Sequence, residues 1–263
     1  MQFKLFFVIV AAFCCLASAP AVAQEDAPKA QLLSVHEDLV IPSMVEKYEK
    51  AAKNFSEMIA KSNTPSISYT AANMQNFVYF YFTPVENMAG IDKMGGSWDE
   101  AQKKVGKQNF DAAMKQFDGC YSSHKNYAVS YRPDLSYNSD FGSKLNEAML
   151  FRHWDFYYIH PGMEKEAEDI AKEWVALNKK VGLPDGYRLY SGSYGSDTPV
   201  FIVAGSGKNA TDFYTRQEAW FKKAGAEGQA LLMKTWKVVR KFESQDGAIR
   251  PDLSVMPKET TKK

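Results

Sequence analysis

The segment Arg132-Pro133-Asp134-Leu135-Ser136 occurs a second time in the sequence, as Arg250-Pro251-Asp252-Leu253-Ser254, 118 residues further on. Another pair of matching segments lies upstream, where Pro42-Ser43-Met44 is followed 119 residues later by Pro161-Gly162-Met163. Two unrelated motifs that recur at almost the same spacing are typical of an internal repeat. This repeat decides how the chain folds.

The repeat continues between these motifs. Glu49 is matched by Glu168, and Met114 by Met233, in both cases at a spacing of 119 residues. Anchors that agree in spacing within one residue indicate a tandem duplication. The sequence is divided accordingly into a first repeat over 24–137, a polar linker over 138–149, a second repeat over 150–257 and a solvated tail over 258–263.

Each repeat shows the same order of local patterns. Proline opens the first helix of each half, where its missing N–H has no helical partner, and apolar residues then recur every three or four positions. A strand hairpin follows, and then a second helical region in which Phe110, Met114, Phe117 and Tyr121 share one face. The predicted strands are 33–41, 66–70 and 76–82 in the first repeat and 151–159, 187–191 and 199–204 in the second, each repeat ending on a further extended piece.

This order, strand-helix-strand-strand-helix-strand, is that of a ferredoxin-like unit, whose two helices cover one face of its sheet. The other face is apolar and needs a partner, because a large exposed apolar surface is unfavourable. Two units in one chain can place sheet against sheet. The sequence therefore predicts an α+β protein in which two ferredoxin-like repeats close one barrel within the chain.

The strand-Pro-x-Met-helix openings at Pro42 and Pro161, together with the two Arg-Pro-Asp-Leu-Ser endings, make the sequence similar to the dimeric α/β-barrel superfamily. The resemblance points to the region of its NIPSNAP-like and antibiotic-biosynthesis-monooxygenase-like branches, and it covers nearly all of the chain beyond residue 23. It implies a ligand cavity inside the barrel, and for one branch it implies oxygenation without a cofactor. Members carry out unrelated chemistry, so the resemblance is far more specific for fold than for activity.

The Arg-Pro-Asp-Leu-Ser motifs themselves are interpreted as structural. A task shared by both copies survives duplication more simply than an asymmetric site does. We expect Arg132 to pair with Asp134, and Arg250 with Asp252, each fixing a turn.

The N-terminal residues are typical of a secretory signal peptide. Lys4 precedes an apolar run over 5–16, and Ala21-Val22-Ala23 supplies the small residues that a signal peptidase recognises. We expect cleavage after Ala23 and a secreted or periplasmic protein. Cys120 is then the only remaining cysteine, so no intrachain disulfide is expected and the thiol is predicted to be buried.

The composition limits the partners. With 32 basic and 31 acidic side chains, the sequence lacks the positive excess of a nucleic-acid-binding protein. No membrane contact is expected after signal cleavage, because no later stretch is apolar enough to span a bilayer. The expected partner is a small apolar or aromatic ligand, and assembly into a homo-oligomer is compatible with the sequence.

Candidate site residues follow from the alternation of side chains along a strand. In the strand 76–82, Val78, Phe80 and Phe82 are expected beneath the helices, and the hydroxyl-bearing alternate set is expected to face the barrel interior. In the strand 151–159, one of the two alternating sets contains the titratable residues His153 and Asp155. The repeat places His36 and Asp38 on the same face. The predicted catalytic residues are His153, Asp155, His36 and Asp38, and the predicted ligand contacts are Phe77, Tyr79, Tyr81 and Tyr157.

Several chemistries fit these residues. A His-Asp pair can act as a general base for oxygenation or proton abstraction. Two histidines with carboxylates can also ligate a divalent metal, but no close His-x-x-x-His pair lies on a helix, and we expect neither a metal nor another cofactor. Haem-binding relatives would need an axial histidine, for which His124 and His160 are available. In the structural alternative these groups only hydrogen-bond one another or solvent, the barrel is solid, and the protein is a non-catalytic interaction protein.

Overall fold

A computed structural model of the chain describes residues 30–137, 149–183 and 186–256. The predicted signal peptide at 1–23, the tail at 258–263 and all but the last residue of the predicted linker lie outside the described residues. No helix in the described ranges combines the length and the apolar character needed to cross a bilayer.

The two halves have the same order of elements. The first half contains β1 (Gln31–Val40), a 3-10 turn (Pro42–Met44), α1 (Val45–Ser62), β2 (Thr70–Met74), β3 (Val78–Val85), α2 (Met88–Val105), α3 (Lys107–Lys115), β4 (Tyr121–Tyr131) and a 3-10 turn (Pro133–Leu135). The second half contains β5 (Phe151–Ile159), α4 (Glu164–Val181), β6 (Arg188–Gly192), β7 (Val200–Gly207), α5 (Ala210–Val238), β8 (Val239–Ile249) and a 3-10 turn (Pro251–Leu253). The predicted α+β class and the repeated strand-helix-strand-strand-helix-strand order are confirmed.

The eight strands form one closed antiparallel barrel in the order β1-β3-β2-β8-β5-β7-β6-β4. Within each half the fourth strand lies beside the first, which is the ferredoxin-like arrangement. The halves meet at two seams, β2 with β8 and β4 with β6, and each seam consists of three residue pairs. The predicted intrachain barrel is therefore confirmed, and its closure rests on two short seams.

Two local predictions were wrong. The strand predicted at 66–70 begins only at Thr70, because a turn in which Ile67 N donates to Thr64 O comes first. Tyr121 does not continue the helical face but starts β4, since the backbone turns at Gly119, which has φ 72°. The neighbouring Cys120 is a free thiol and fully buried, as predicted.

A glycine breaks the second helical region of each half at the same repeat position. Gly106 separates α2 from α3 with φ 85°, and Gly225, 119 residues later, interrupts α5 with φ 52°. Both values lie in the left-handed region that only glycine enters without strain. The break lets the last part of α5 turn back along α4, where Lys234 Nζ lies 2.5 Å from Glu173 Oε1.

The assignment of the strand faces was wrong and is reversed in the structure. The barrel interior holds an apolar cluster to which every strand contributes, with Phe80 beside Trp154 and with Val35 and Val129 among its members. Val78, Phe80 and Phe82 thus point inward, whereas Tyr79 and Tyr81 pack beneath the helices. Both faces of these strands are buried, one by the barrel and one by the helices, so the presence of hydroxyl groups does not tell them apart.

Each Arg-Pro-Asp-Leu-Ser motif crosses a seam, and we call residues 132–136 the first clasp and residues 250–254 the second clasp. In the first clasp Arg132 N donates to Leu189 O at 2.8 Å, and Ser136 Oγ accepts from Leu189 N at 2.9 Å. The Arg132 guanidinium bonds both oxygens of Asp134, as predicted, and also Glu168 Oε1 on α4 at 2.7 Å. The first repeat is thereby tied to the first helix of the second.

The second clasp repeats this arrangement in the opposite direction. Arg250 N donates to Ala71 O at 2.8 Å, and the Arg250 guanidinium bonds Asp252, as predicted, and Glu49 on α1. Leu253 is 1% exposed and packs in the cluster between α1 and the sheet. Glu49 and Glu168 are the residues matched by the repeat, so the duplication has kept both partners of each clasp.

We predict that Arg132→Gln lowers the free energy of unfolding by about 1–3 kcal/mol, because it leaves the half-buried Glu168 and the more exposed Asp134 without their charged donor. The measurement is urea denaturation followed by tryptophan fluorescence. Lys165→Gln is the matched control, since the Lys165–Asp169 pair is exposed, and it should leave the free energy of unfolding nearly unchanged. Equal effects of the two substitutions would show that the first clasp does not stabilise the barrel.

Candidate functional site

A cavity of about 370 Å³ lies in the second half, between the outer face of the sheet and the helices α4 and α5. Strand residues on one side of it include Asp155, Tyr157 and Val203, and helix residues on the other include Ala167 and Trp220. We call this cavity the pocket. Its size falls in the range of about 300–1,000 Å³ that is usual for small-molecule sites.

The pocket is open because two large side chains of the first half have small counterparts in the second. The clasps show which strand residues correspond. Arg250 bonds Ala71 as Arg132 bonds Leu189, so Ala71 corresponds to Leu189. Ala71 pairs with Tyr81 and Leu189 pairs with Val203, so Tyr81 corresponds to Val203. On the first helices, Tyr48 corresponds to Ala167 at the repeat spacing of 119.

In the first half this space is filled. Tyr48 is fully buried, donates to Asp38 Oδ2 at 2.6 Å and lies 2.9 Å from the Tyr81 hydroxyl. Burial raises the pKa of Tyr48 far above its ordinary value, helped by the neighbouring Tyr81 and Asp38. With Ala167 and Val203 in place of Tyr48 and Tyr81, the second half leaves a void where the first has a hydrogen-bonded core.

A cluster of polar side chains surrounds His153 at one wall of the pocket. His153 Nδ1 lies 2.7 Å from Asp246 Oδ1 on β8, and Nε2 lies 3.1 Å from Asp155 Oδ1. Ser244 Oγ is 3.2 Å from Nε2, and the Tyr214 hydroxyl from α5 lies 3.0 Å from both Asp246 oxygens. Both nitrogens of the imidazole are therefore engaged by carboxylates.

The electrostatics of this cluster favour the protonated imidazole. Burial alone lowers the pKa of His153, but hydrogen bonds and charges from Asp155 and Asp246 outweigh it, and the pKa is raised above its ordinary value. Burial and the bond to Asp246 raise the pKa of Tyr214 to about 12. Both imidazole nitrogens face carboxylates, and Asp155 is the carboxylate of this cluster that also lines the pocket.

The Phe213 ring closes this wall against the sheet. Gly205 pairs with His153 across β5 and β7, and a Cβ at Gly205 would collide with the ring of Phe213. Without that atom, Phe213 lies over the imidazole with ring centroids 4.8 Å apart. The position of His153 is thus fixed by Asp246 and Ser244 on β8 and by Phe213 and Tyr214 on α5.

The structure brings together three of the predicted site residues, His153, Asp155 and Tyr157, all of which line the pocket. It places them on the outer face of the barrel, so their predicted location in the interior was wrong. The catalytic and ligand-binding roles assigned to them stay predictions.

His36 and Asp38 form a separate cluster on the outer face of the first half. His36 Nε2 lies 3.1 Å from Asp38 Oδ1, and Nδ1 lies 2.9 Å from Asn126 Oδ1. The sheet register aligns His36 with Asp155, not with His153, because Tyr81 and Val203 are their partners. The two His-Asp pairs lie on the same face of the sheet, as predicted. They are displaced by two residues relative to each other along equivalent strands, and they lie in different halves, so they do not surround one interior.

The remaining predicted contacts lie away from the pocket. Phe77 is 41% exposed at the turn before β3, and Tyr79 donates to Glu49 Oε1 at 2.6 Å beside the second clasp. His124 and His160 are exposed and are not among the pocket residues. Within the described residues, no group of three or more His, Cys, Asp or Glu side chains is arranged to hold a metal ion.

Asp246, Ser244 and Tyr214 were missed by the sequence analysis. They lie in β8 and at the start of α5, two segments whose limits the residue pattern did not define. One available signal was the pairing of the fourth strand with the first in a ferredoxin-like unit, which places 239–249 beside His153.

No family profile matches the sequence, and no curated protein is detectably similar to it. Solved structures do share the fold. An anthrone oxidase-like protein superimposes with a TM-score of 0.58 at 12% identity, covering 87% of this chain and 95% of its own. A provisionally assigned monooxygenase from Fusobacterium nucleatum gives 0.54 at 10% identity, with 84% and 92% covered. A protein from Lactobacillus acidophilus with the same provisional assignment superimposes with a TM-score of 0.52 at 8% identity, covering 87% of this chain and 97% of its own.

These similarities show the fold of the dimeric α/β-barrel superfamily, with both halves of the barrel in one chain. The resemblance seen in the sequence is confirmed at that level. At such identities a shared fold does not show a shared reaction, so function has to be argued from the pocket.

We predict that the protein loses stability as the pH rises above about 6.5, because the raised pKa of His153 in the folded state exceeds its unfolded value near 6.5. The stabilising contribution is complete below that pH and is lost as the pH passes the folded-state pKa. His153→Gln should reduce this slope in urea titrations at pH 6 to 9. His36, whose pKa is also raised, leaves a residual slope. An unchanged slope would mean that the carboxylates do not hold the proton on His153.

Proposed function

We propose that this protein binds a small, largely apolar molecule of aromatic shape in the pocket of its second half. The observation that carries the proposal is the contrast between the halves: the same place is a packed core around Tyr48 in one and a cavity beside Ala167 in the other. Packed interiors tolerate few voids larger than a water molecule. A ligand site therefore explains a cavity of about 370 Å³ beside Trp220 and Phe201 better than a packing defect does.

The character of the walls supports an aromatic ligand. Trp174, Trp220, Phe201 and Phe213 contribute rings to the lining, and the polar cluster around His153 occupies one wall. An apolar cavity with few convergent polar groups is the usual form of a small-molecule site. The barrel interior is filled by an apolar cluster, as the non-catalytic alternative expects. The pocket lies outside the barrel and offers a separate place for a ligand.

We predict that Ala167→Tyr closes the pocket and weakens the binding of 1-naphthol at least about tenfold, measured by isothermal titration calorimetry. The first half shows that tyrosine is accommodated at the corresponding position, with an overpacking cost of at most about 1–3 kcal/mol. Ala176→Tyr is the matched control, because Ala176 lies on the exposed face of the same helix, and it should leave affinity unchanged.

Two results would contradict this proposal. One is naphthol binding that survives in Ala167→Tyr although the variant is folded by circular dichroism. The other is no measurable affinity of the unmodified protein for any two-ring aromatic compound.

A second candidate function is oxidation of such a ligand by dioxygen without a cofactor. It is favoured by the carboxylate of Asp155, which faces the pocket while His153 is held on its other side. Two of the similar structures are named as monooxygenases, which is compatible with this reaction. The overall change, a hydroxyarene and dioxygen giving a quinone and water, balances without an external reductant.

If this reaction occurs, Asp155→Asn should lower oxygen consumption with 1-naphthol by about 100-fold or more, because the proton acceptor is lost. Binding of 1-naphthol should persist, since the amide keeps the shape of the carboxylate. The measurement is an oxygen electrode combined with calorimetry. Absence of oxygen uptake by the unmodified protein would leave binding as the function.

A further inference from the structure

Two polar atoms in the pocket wall have no partner. Asn178 Oδ1 on α4 and Trp220 Nε1 on α5 are buried and make no hydrogen bond within the protein. Their side chains are among the most enclosed of the lining, since Asn178 is 3% and Trp220 8% exposed. Buried polar atoms are normally paired, so two unpaired atoms in one cavity need an explanation.

The two atoms belong to one region of the pocket. Asn178 lies one helical turn beyond Trp174 on the same face of α4, and the ring of Trp220 packs against Trp174 with centroids 5.7 Å apart. The indole N–H of Trp174 is by contrast satisfied by Thr235 Oγ1 at 3.0 Å. Within this wall of the pocket, Asn178 Oδ1 and Trp220 Nε1 are thus the two unpaired atoms, although the Asn178 side chain also bonds Tyr187.

In the filled half, the positions equivalent to Asn178 and Trp220 carry no polar side chain. At the repeat spacing of 119, Asn178 corresponds to Ile59 and Trp220 to Ala101. Ile59 is 2% exposed and Ala101 is fully buried, and both belong to an apolar cluster. A hydrogen-bond acceptor and a hydrogen-bond donor thus occur in the half that has the cavity, at positions that are apolar in the half without one.

We infer that Asn178 and Trp220 select a ligand that carries a neutral hydroxyl group on its aromatic body. A hydroxyl accepts from the Trp220 N–H and donates to the Asn178 carbonyl, which is the combination that these two atoms lack. This inference rests on the proposed function, because it assigns the chemistry of a molecule held in the same pocket. A ligand without the hydroxyl buries both atoms unpaired and binds more weakly.

Two pairs of size-matched probes test the assignment by calorimetry. In one pair, 1-naphthol is compared with 1-methylnaphthalene, so that a hydroxyl replaces a methyl group. In the other, 1-methoxynaphthalene is compared with 1-ethylnaphthalene, so that an acceptor is present without a donor. The unmodified protein should prefer 1-naphthol in the first pair by about tenfold or more and 1-methoxynaphthalene in the second by a smaller factor.

The variants assign the preferences to the two residues. Trp220→Phe keeps a ring but removes the N–H, and it should abolish the preference in the second pair and reduce it in the first. Asn178→Leu should reduce only the preference in the first pair. Trp98→Phe is the matched control, because Trp98 packs in the first half and does not line the pocket, and both preferences should persist. Thermal denaturation shows whether each variant is folded.

The outcomes separate this inference from the proposed function. If the unmodified protein binds all four probes with equal affinity, the pocket is a ligand site but the assignment of a hydroxyl is overturned. If it binds none of them, the proposed function fails and the inference fails with it. Preferences that survive in Trp220→Phe and Asn178→Leu would overturn the assignment even where the unmodified protein discriminates, because other groups would then recognise the hydroxyl.

Discussion

Closure of the barrel depends on two arginines that reach across its seams. The seams contain three residue pairs each, which is few for the junction of two four-stranded sheets. Arg132 and Arg250 extend them, because each bonds a carbonyl of the opposite sheet through its backbone and a glutamate of the opposite helix layer through its side chain. Each arginine also bonds an aspartate two residues on, which fixes the turn that directs the chain across the seam.

The seam between β2 and β8 also depends on close backbone contact. Gly247 pairs with Met74 there, and a Cβ at Gly247 would collide with the carbonyl of Asn73. A glycine is required at this point because the strands approach more closely than a side chain allows. The second clasp follows directly after β8, so the tight contact and the ion pairs act on the same short junction.

The repeat made the architecture predictable from the sequence, because matched anchors such as Glu49 and Glu168 had to occupy equivalent places. The strand 151–159 has the predicted bounds, and the arginine-aspartate pairs were foreseen. Their glutamate partners were not assigned, since nothing local to a motif reveals a contact across a seam. The clasps show why a pentapeptide is retained in both copies: it holds each half to the other.

The faces of the strands could not be predicted in the same way. Alternation identifies two sets of residues, but it does not say which set points inward when both are covered. Tyr79 and Tyr81 suggested a wet interior, yet their hydroxyls are satisfied by Glu49 and Tyr48 from the helix layer. His153 and Asp155 were correctly identified as a pair. Asp246 and Tyr214 lie in segments without a clear residue pattern, so the hydrogen bond of the second imidazole nitrogen could not be predicted.

Duplication explains how a stable barrel can carry a large cavity between its outer face and the helices. The clasps and seams draw on both halves, so a cavity in the second half removes packing there without removing the contacts that close the barrel. The first half keeps the packed arrangement of Tyr48, Tyr81 and Asp38, which stabilises the sheet that both halves share. The second half is then free to replace tyrosine by Ala167 and to place Asn178 and Trp220 in the wall. The packed core and the proposed ligand site thus lie in different copies of the same unit, so that changes at the site leave the packed copy intact.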